Sequence, residues 1–253
     1  SVSISAGVAQ IVSAYPDLFP YRVLIAVTAV FFIMLMNLRG VKESGKAFSV
    51  PTYFFVVIMT FTVGFGIFRY LTGSLGMVVD PPHFEAQHII SVITPFILLH
   101  AFANGTTALT GVEAISNGIT AFKEPRSKNA GITLIWMSLI LDSLFLALSF
   151  LTGQVHAVFS EEETVISQLA RTIYGGRGFP YLMLISGTTV ILIMAANTAF
   201  ADFPRLGALH AGDGFLPRQL TYRGSRLVYS RGIMSLAIIA SALIIIFQAS
   251  VTR

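Results

Sequence analysis

Long stretches without charged residues constrain the fold of this chain more than any other feature. The stretches that lack Asp, Glu, Lys and Arg altogether are residues 23–38, 47–68, 86–112, 178–201 and 232–252. Asp142 alone interrupts a further one, residues 129–160. A helix of about 20 apolar residues crosses the hydrocarbon core of a bilayer, so each stretch is a candidate membrane span. The sequence therefore predicts an all-α integral membrane protein.

The predicted spans form a single transmembrane domain that covers residues 1–253. Residues 1–14 have about half the length that a span needs, so we expect a helix that begins before residue 1. Between the spans, we expect Glu161–Tyr174 to form a short surface helix with Ser160 as its N-cap and acidic residues in its first turn. The other predicted spans are residues 20–38, 48–71, 89–122, 129–153, 178–201 and 232–250.

Basic residues are distributed unequally between the two sides of the predicted bundle. When successive loops alternate between the sides, one side receives most of the 16 Lys and Arg residues, in loops 39–46, 123–128 and 202–231. Cytoplasmic loops are enriched in Lys and Arg, so we expect these three loops to face the cytoplasm of a multi-pass plasma-membrane protein. The net charge of +4 is interpreted as this orientation signal and not as a nucleic-acid footprint.

The segment 89–122 is long for one span, and small polar residues lie in its middle. Glycine and hydrogen-bonding residues are poor helix formers, and lipid offers no partner for backbone groups that leave the helix. We therefore expect a discontinuous helix near 103–111 whose freed carbonyls and hydroxyls build a binding site. The alternative is an intact helix that uses these residues for close packing. The residues concerned are Asn104, Gly105, Thr106, Thr107, Thr110 and Gly111.

Glu113 follows this segment at membrane depth. A carboxylate inside a span costs roughly 2.5–3.5 kcal/mol on insertion scales, so it usually faces a cavity, a cation or a partner. Thr110 precedes it by three residues, which places both side chains on one helix face. Carboxylate and hydroxyl oxygens suit an alkali cation or an ammonium group, and a carboxyl group can also carry a proton. A neutral Glu113 hydrogen-bonded to its neighbours is the structural alternative.

Two further polar residues lie at membrane depth. Asp142 either pairs with a basic or hydroxyl group of another span or takes part in proton coupling, and the sequence does not decide between these roles. Thr198 could supply a hydroxyl to an ion site, and the alternative is a hydrogen bond to its own helix.

Three segments resemble carriers of the amino acid–polyamine–organocation (APC) superfamily. Thr110-Gly111-Val112-Glu113-Ala114 and the loop Phe122–Asn129 resemble the sixth core helix and the loop after it. Asn37–Ser44 resembles the junction of the fourth and fifth helices. Ala196–Leu206, together with Asp213–Pro217, resembles the end of the eighth. Thr-Gly-x-Glu-Ala is also typical of potassium importers of the KUP group. The resemblance covers nearly the whole chain, from the third core helix to the ninth.

The resemblance implies part of an inverted-repeat (LeuT-like, 5+5) transporter bundle. It implies a potassium site formed by Ser5, Thr110 and Glu113, potassium–proton symport by alternating access, and a homodimer. Potassium and the proton are then the transported species, and no cofactor is expected. The first core helix and a cytoplasmic regulatory domain of that group have no counterpart in this sequence.

Other classes of function remain open at this point. In an amino acid permease of the same fold, Gly105 and Gly111 would expose backbone amides to a substrate carboxylate. A helical receptor or sensor would need no oxygen-rich break. The hydrolase motifs Gly-x-Ser-x-Gly and His-Glu-x-x-His are absent, so we expect no enzyme. The expected partners are the lipid bilayer and a small cation or amino acid, and no nucleic acid.

Overall fold

The computed structural model describes residues 1–40, 45–79, 81, 94–105, 110–117, 119, 122–222 and 229–251. These residues form α-helices and two short 3-10 helices, Pro16–Tyr21 and Arg218–Thr221, and they include no β-strand. The α-helices are α1 (Val2–Ala14), α2 (Arg22–Leu38), α3 (Gly45–Leu71), α4 (Pro95–Gly105), α5 (Thr110–Asn117), α6 (Arg126–Val155), α7 (Val165–Tyr174), α8 (Phe179–Gly212) and α9 (Ser230–Ile246).

Four segments among the described residues are long and apolar enough to cross a membrane: Pro16–Leu38, Ser49–Leu71, Arg126–Val155 and Phe179–Gly212. Helices α1 and α9 are apolar as well but shorter. The predicted all-α, membrane-spanning fold is therefore confirmed.

The chain divides into two compact units. The first contains Ser1–Pro82 and Thr152–Arg253, and the second contains His83–Leu151. In the first unit, α1 and α3 pack on α8, while α2 packs on α9. Apolar residues of α1, α2, α8 and α9 form its buried core, among them Ile4, Val8, Val30, Phe200 and Ile244.

A glycine permits close approach of α8 and α9 in this unit. A Cβ added to Gly232 would lie 2.9 Å from the Cβ and 3.0 Å from the Cα of Pro204. Small residues at helix interfaces are typical of membrane proteins, because they let the backbones come close.

Helix α8 is longer than the sequence analysis predicted. It continues past residue 201 to Gly212 and includes Pro204, so the first part of the predicted loop 202–231 is helical. The physical reason is a buried face that continues the helical spacing: Pro204, Gly207, Ala208 and Ala211 are all buried. At about 1.5 Å per residue, the 34 residues of α8 reach about 50 Å, which exceeds the hydrocarbon thickness.

The second unit contains α4, α5 and α6 up to Leu151. Helices α5 and α6 approach closely there, since a Cβ on Gly111 would lie 3.3 Å from Sδ of Met137. In the first turn of α6, the Asn129 side-chain amide donates to the carbonyl of Lys123, which precedes the helix, at 2.8 Å.

Candidate functional site

Ser5 is a buried hydroxyl on α1, with an exposed fraction of 3%. It lies one helical turn after Ser1, and both line a cavity of about 130 Å³ together with Leu243 and Ile244 of α9 and with Phe247 and other residues just after that helix. Ser5 can therefore supply an oxygen to this cavity in the first unit. Its predicted role as a potassium ligand stays a prediction.

The predicted break lies largely outside the described residues. Helix α4 ends at Gly105 and α5 begins at Thr110, and residues 106–109, with Thr106 and Thr107, belong to the part of the chain that the structure does not describe. The discontinuity itself thus stays a prediction.

Thr110 and Glu113 both belong to the helical backbone of α5, so the spacing of three residues places them about one turn apart on one face. Their side chains, like that of Asn104, lie outside the described residues. What the structure supplies is the helical frame that the predicted pair requires.

The remaining two candidates are described in full. Asp142 is exposed on α6 and forms no ion pair with another described residue. The Thr198 hydroxyl donates to the carbonyl of Ala195 in its own helix at 2.7 Å. This hydrogen bond is the structural alternative that the sequence left open for Thr198. Its neighbour Asn197 accepts from the Asn37 amide at 2.7 Å, which joins α8 to α2.

A charged cluster around Glu163 was missed by the sequence analysis. The Glu163 carboxylate is 6% exposed. It accepts from Arg171 Nε at 3.0 Å and Nη2 at 3.1 Å, and from the Ser167 hydroxyl at 2.8 Å. Arg177 lies 3.6 Å away as a second cation. Two guanidinium groups and a hydroxyl therefore compensate the buried charge.

The predicted surface helix begins later than expected. Thr164, and not Ser160, is the N-cap of α7, and its hydroxyl accepts from the Ser167 amide at 3.3 Å. Ser160 instead accepts from the Glu162 amide in a local turn. The acids thus precede the helix, so the expectation that they occupy its first turn was wrong. Glu161 pairs with Arg22 of α2 at 3.2 Å.

A cavity of about 220 Å³ lies beside this pair. Residues of α1 and the segment before α7 form most of its wall, and Gln10, Arg22, Glu161, Thr164 and Ser250 supply its polar groups. The Ser250 hydroxyl donates to Glu161 at 3.1 Å, so the ion pair is also tied to the segment after α9.

Comparisons with known proteins give two findings. The family model for amino acid permeases matches residues 1–253. The potassium transporter KimA of Bacillus subtilis (strain 168) is 42% identical over 249 residues, which are 98% of this chain and 40% of KimA. The chain thus spans less than half the length of this relative.

Proposed function

Because the chain belongs to the amino acid permease family of the APC superfamily, we propose that the full-length protein is a secondary transporter that imports potassium together with protons. Family membership makes the chain part of a multi-pass membrane protein. It also agrees with the expectation that the chain is not an enzyme.

The similarity to KimA carries the choice of potassium. KimA is named as a potassium transporter. The alignment, at 42% identity, covers 98% of the present chain, so it includes the segment with Thr110 and Glu113. A carboxylate and a hydroxyl one turn apart offer hard oxygen ligands, which suit an alkali cation better than a soft metal. We propose that Thr110 and Glu113 bind the cation; Ser5 is a further ligand only as the family resemblance implies.

Proton coupling is assigned to Glu113. A single carboxyl group that binds the cation when ionised and a proton when neutral makes the two events mutually exclusive, which is the simplest way to couple them. Asp142 is the second candidate for this role, because it is the other acid at membrane depth.

A second candidate function is amino acid transport. The family model that matches the chain is named for amino acid permeases, which favours this alternative. In that case the backbone amides at Gly105 and Gly111 would bind a substrate carboxylate.

The orientation and assembly of the protein belong to the same proposal. We propose that segments 39–46, 123–128 and 202–231, the last of which begins with the end of α8, lie on the cytoplasmic side of the plasma membrane; the distribution of Lys and Arg supports this. A homodimer is proposed from the family resemblance alone.

Uptake by the full-length protein tests these functions against each other. We expect its expression to restore growth of a potassium-uptake-deficient strain at low potassium. Purified in liposomes, it should take up the potassium analogue rubidium, and a proton gradient directed inward should accelerate this uptake. Uptake of labelled amino acids without rubidium transport would replace the proposal by the permease alternative.

A further inference from the structure

Helix α7 forms hydrogen bonds with three other helices of the first unit, α1, α3 and α8. On the side of α1, the Thr164 amide donates to the Ser13 hydroxyl at 2.9 Å, and the Thr164 hydroxyl donates to Gln10 Oε1 at 3.1 Å. Both partners are buried. The N-terminus of α7 is thus bound by side chains of α1 and does not depend on water for its partners.

Helix α3 binds the opposite end of α7. Arg69, in the last turn of α3, donates to the carbonyls of Ile173 at 2.6 Å and Thr172 at 3.2 Å. A cation at a helix C-terminus is favourable, because the last carbonyls lack helical partners and carry partial negative charge. Tyr174 adds a hydrogen bond between its hydroxyl and that of Thr62 at 2.7 Å.

Helix α8 binds α7 from the third side through Tyr181. The Tyr181 hydroxyl lies 2.8 Å from the Ser167 hydroxyl of α7, and it donates to the Ser13 carbonyl of α1 at 3.3 Å. It is one of the largest fully buried side chains in the described part of the chain. One phenol therefore joins α1, α7 and α8.

The segment before α7 is held by α7 itself. Glu163 makes a two-bond contact to Arg171, and Arg171 also donates to the carbonyl of Val79. Gln168 donates to the carbonyl of Val158 at 2.7 Å and accepts from its amide at 3.0 Å. Separating α7 from α1 or α8 would break the hydrogen bonds of Ser13, Thr164 and Tyr181 described above, and each broken buried hydrogen bond leaves an unsatisfied partner.

From this arrangement we propose that α7 is a fixed element: it stays bound to α1, α3 and α8 throughout the transport cycle and is not a lid that opens to admit substrate. This inference rests on the proposed function in one respect: it assumes that the full-length protein passes through the conformations of a transport cycle. It assigns Ser13, Glu163 and Tyr181 as positioning residues that hold α7, with no direct role in substrate binding.

A disulfide between α1 and α7 tests the proposal in the full-length protein. The Ser13 and Thr164 hydroxyl oxygens lie 3.4 Å apart, and the chain contains no cysteine of its own. In a cysteine-free full-length background, the pair Ser13→Cys and Thr164→Cys is oxidised, and mass spectrometry of the linked peptides measures the yield. We expect rubidium uptake by the oxidised pair to equal that of its reduced form. A loss of uptake on oxidation that a reductant reverses would overturn the proposal, and the two single variants control for damage by the oxidant.

Hydrogen exchange provides a readout that does not depend on transport. Amides of Val165–Tyr174 should exchange slowly and at the same rate with and without potassium. Glu163→Gln should accelerate their exchange about a hundredfold, because a broken buried ion pair favours local opening, whereas Glu162→Gln, at the exposed neighbouring residue, should not change it.

Exchange that varies with potassium would contradict the fixed attachment. Exchange that Glu163→Gln leaves as slow as in the parent would overturn the assignment of Glu163 as a positioning residue. If the parent protein transports neither rubidium nor amino acids, the proposed function fails, while the exchange rates still decide whether α7 is fixed.

Discussion

Glu163, whose ion pairs the structure describes, contrasts with Glu113, the carboxylate that we propose to bind the cation. Glu163 is buried against Arg171 and Arg177, at 3.0 and 3.6 Å, and a hydroxyl completes its coordination. Glu113, three residues after Thr110 and two after Gly111, lies in a segment whose nearest basic residue along the sequence is Lys123. With fixed guanidinium partners, the Glu163 carboxylate holds the segment before α7 against that helix. A carboxylate without a basic residue close by in sequence is suited to reversible binding of a cation.

The largest effect is expected from removing the carboxylate that has fixed partners. Glu163→Ala removes the buried carboxylate that Arg171 contacts at 3.0 Å, and breaking a buried pair by removing one partner costs about 3–5 kcal/mol. The thermal unfolding midpoint of the full-length protein in detergent should fall sharply. The matched control is Glu162→Ala, an exposed acid in the same loop, which should leave the midpoint unchanged. Equal unfolding midpoints for the two variants would mean that the buried ion pairs of Glu163 contribute no more to stability than the exposed Glu162 does.

The contact between Gly232 of α9 and Pro204 of α8 contains no charged group. It therefore measures how much packing alone contributes to stability, for comparison with the ion pairs of Glu163. Gly232→Ala places a methyl group 2.9 Å from Pro204 on α8, so α9 must move away, and overpacking of this kind costs about 1–3 kcal/mol. Gly207→Ala on α8 is the control, because a Cβ there meets nothing within 4 Å. Thermal unfolding should separate the two variants, and a destabilised Gly207→Ala with an unaffected Gly232→Ala would contradict the packing described here.

Structural features that depend on residues close together in the sequence could be predicted, and features that depend on contacts between distant residues could not. The helices follow from the length of the uncharged stretches, because burial in lipid acts on every residue of a span in the same way. The start of α7 did not follow. Ser160 and Thr164 are both acceptable N-caps, and Thr164 gains Gln10 and Ser13 of α1 as additional partners, far away in the sequence.

The Glu163 cluster was hidden from sequence reasoning for a similar reason. Arg171 follows Glu163 by eight residues, and Glu163 lies outside the helix. Side chains pair along a helix at spacings of three or four residues, so nothing in the sequence indicates that these two pair. The contact exists because the loop turns back over α7, and Gln168 fixes that turn through the backbone of Val158. The extension of α8 was also missed, since Pro204 suggests a helix end until the buried small residues after it are considered.

Substitution of Glu113 tests the carboxylate that we propose to bind the cation. Glu113→Gln keeps the shape of the side chain but removes both the charge and the exchangeable proton. We expect rubidium uptake by the full-length protein to fall about tenfold, equivalent to about 1.4 kcal/mol, and the remaining uptake to lose its dependence on external pH. Stability should change less than in Glu163→Ala, because no fixed cation is expected to lose its partner.

The control for this variant is Asp142→Asn, which should transport at nearly the parental rate. Parental rate and pH dependence in Glu113→Gln, together with an inactive Asp142→Asn, would move the transport role to Asp142. If both variants take up rubidium as the parent does, neither carboxylate is required for cation binding, and the proposed site is wrong.

The smallest effect is expected at the third carboxylate of the comparison, Glu161. Its ion pair with Arg22 resembles that of Glu163 in distance, at 3.2 Å, but the two side chains keep 16% and 30% of their exposure. Pairs in contact with solvent are worth about 0–1 kcal/mol, because water already stabilises each ion and salt screens their attraction. Arg22→Gln should therefore lower the unfolding midpoint only slightly at low salt and not at all in 1 M salt, where the screening length is about 3 Å. A decrease as large as that of Glu163→Ala, and independent of salt, would mean that the pair behaves as a buried one, and that exposure does not separate the structural roles of these two acids.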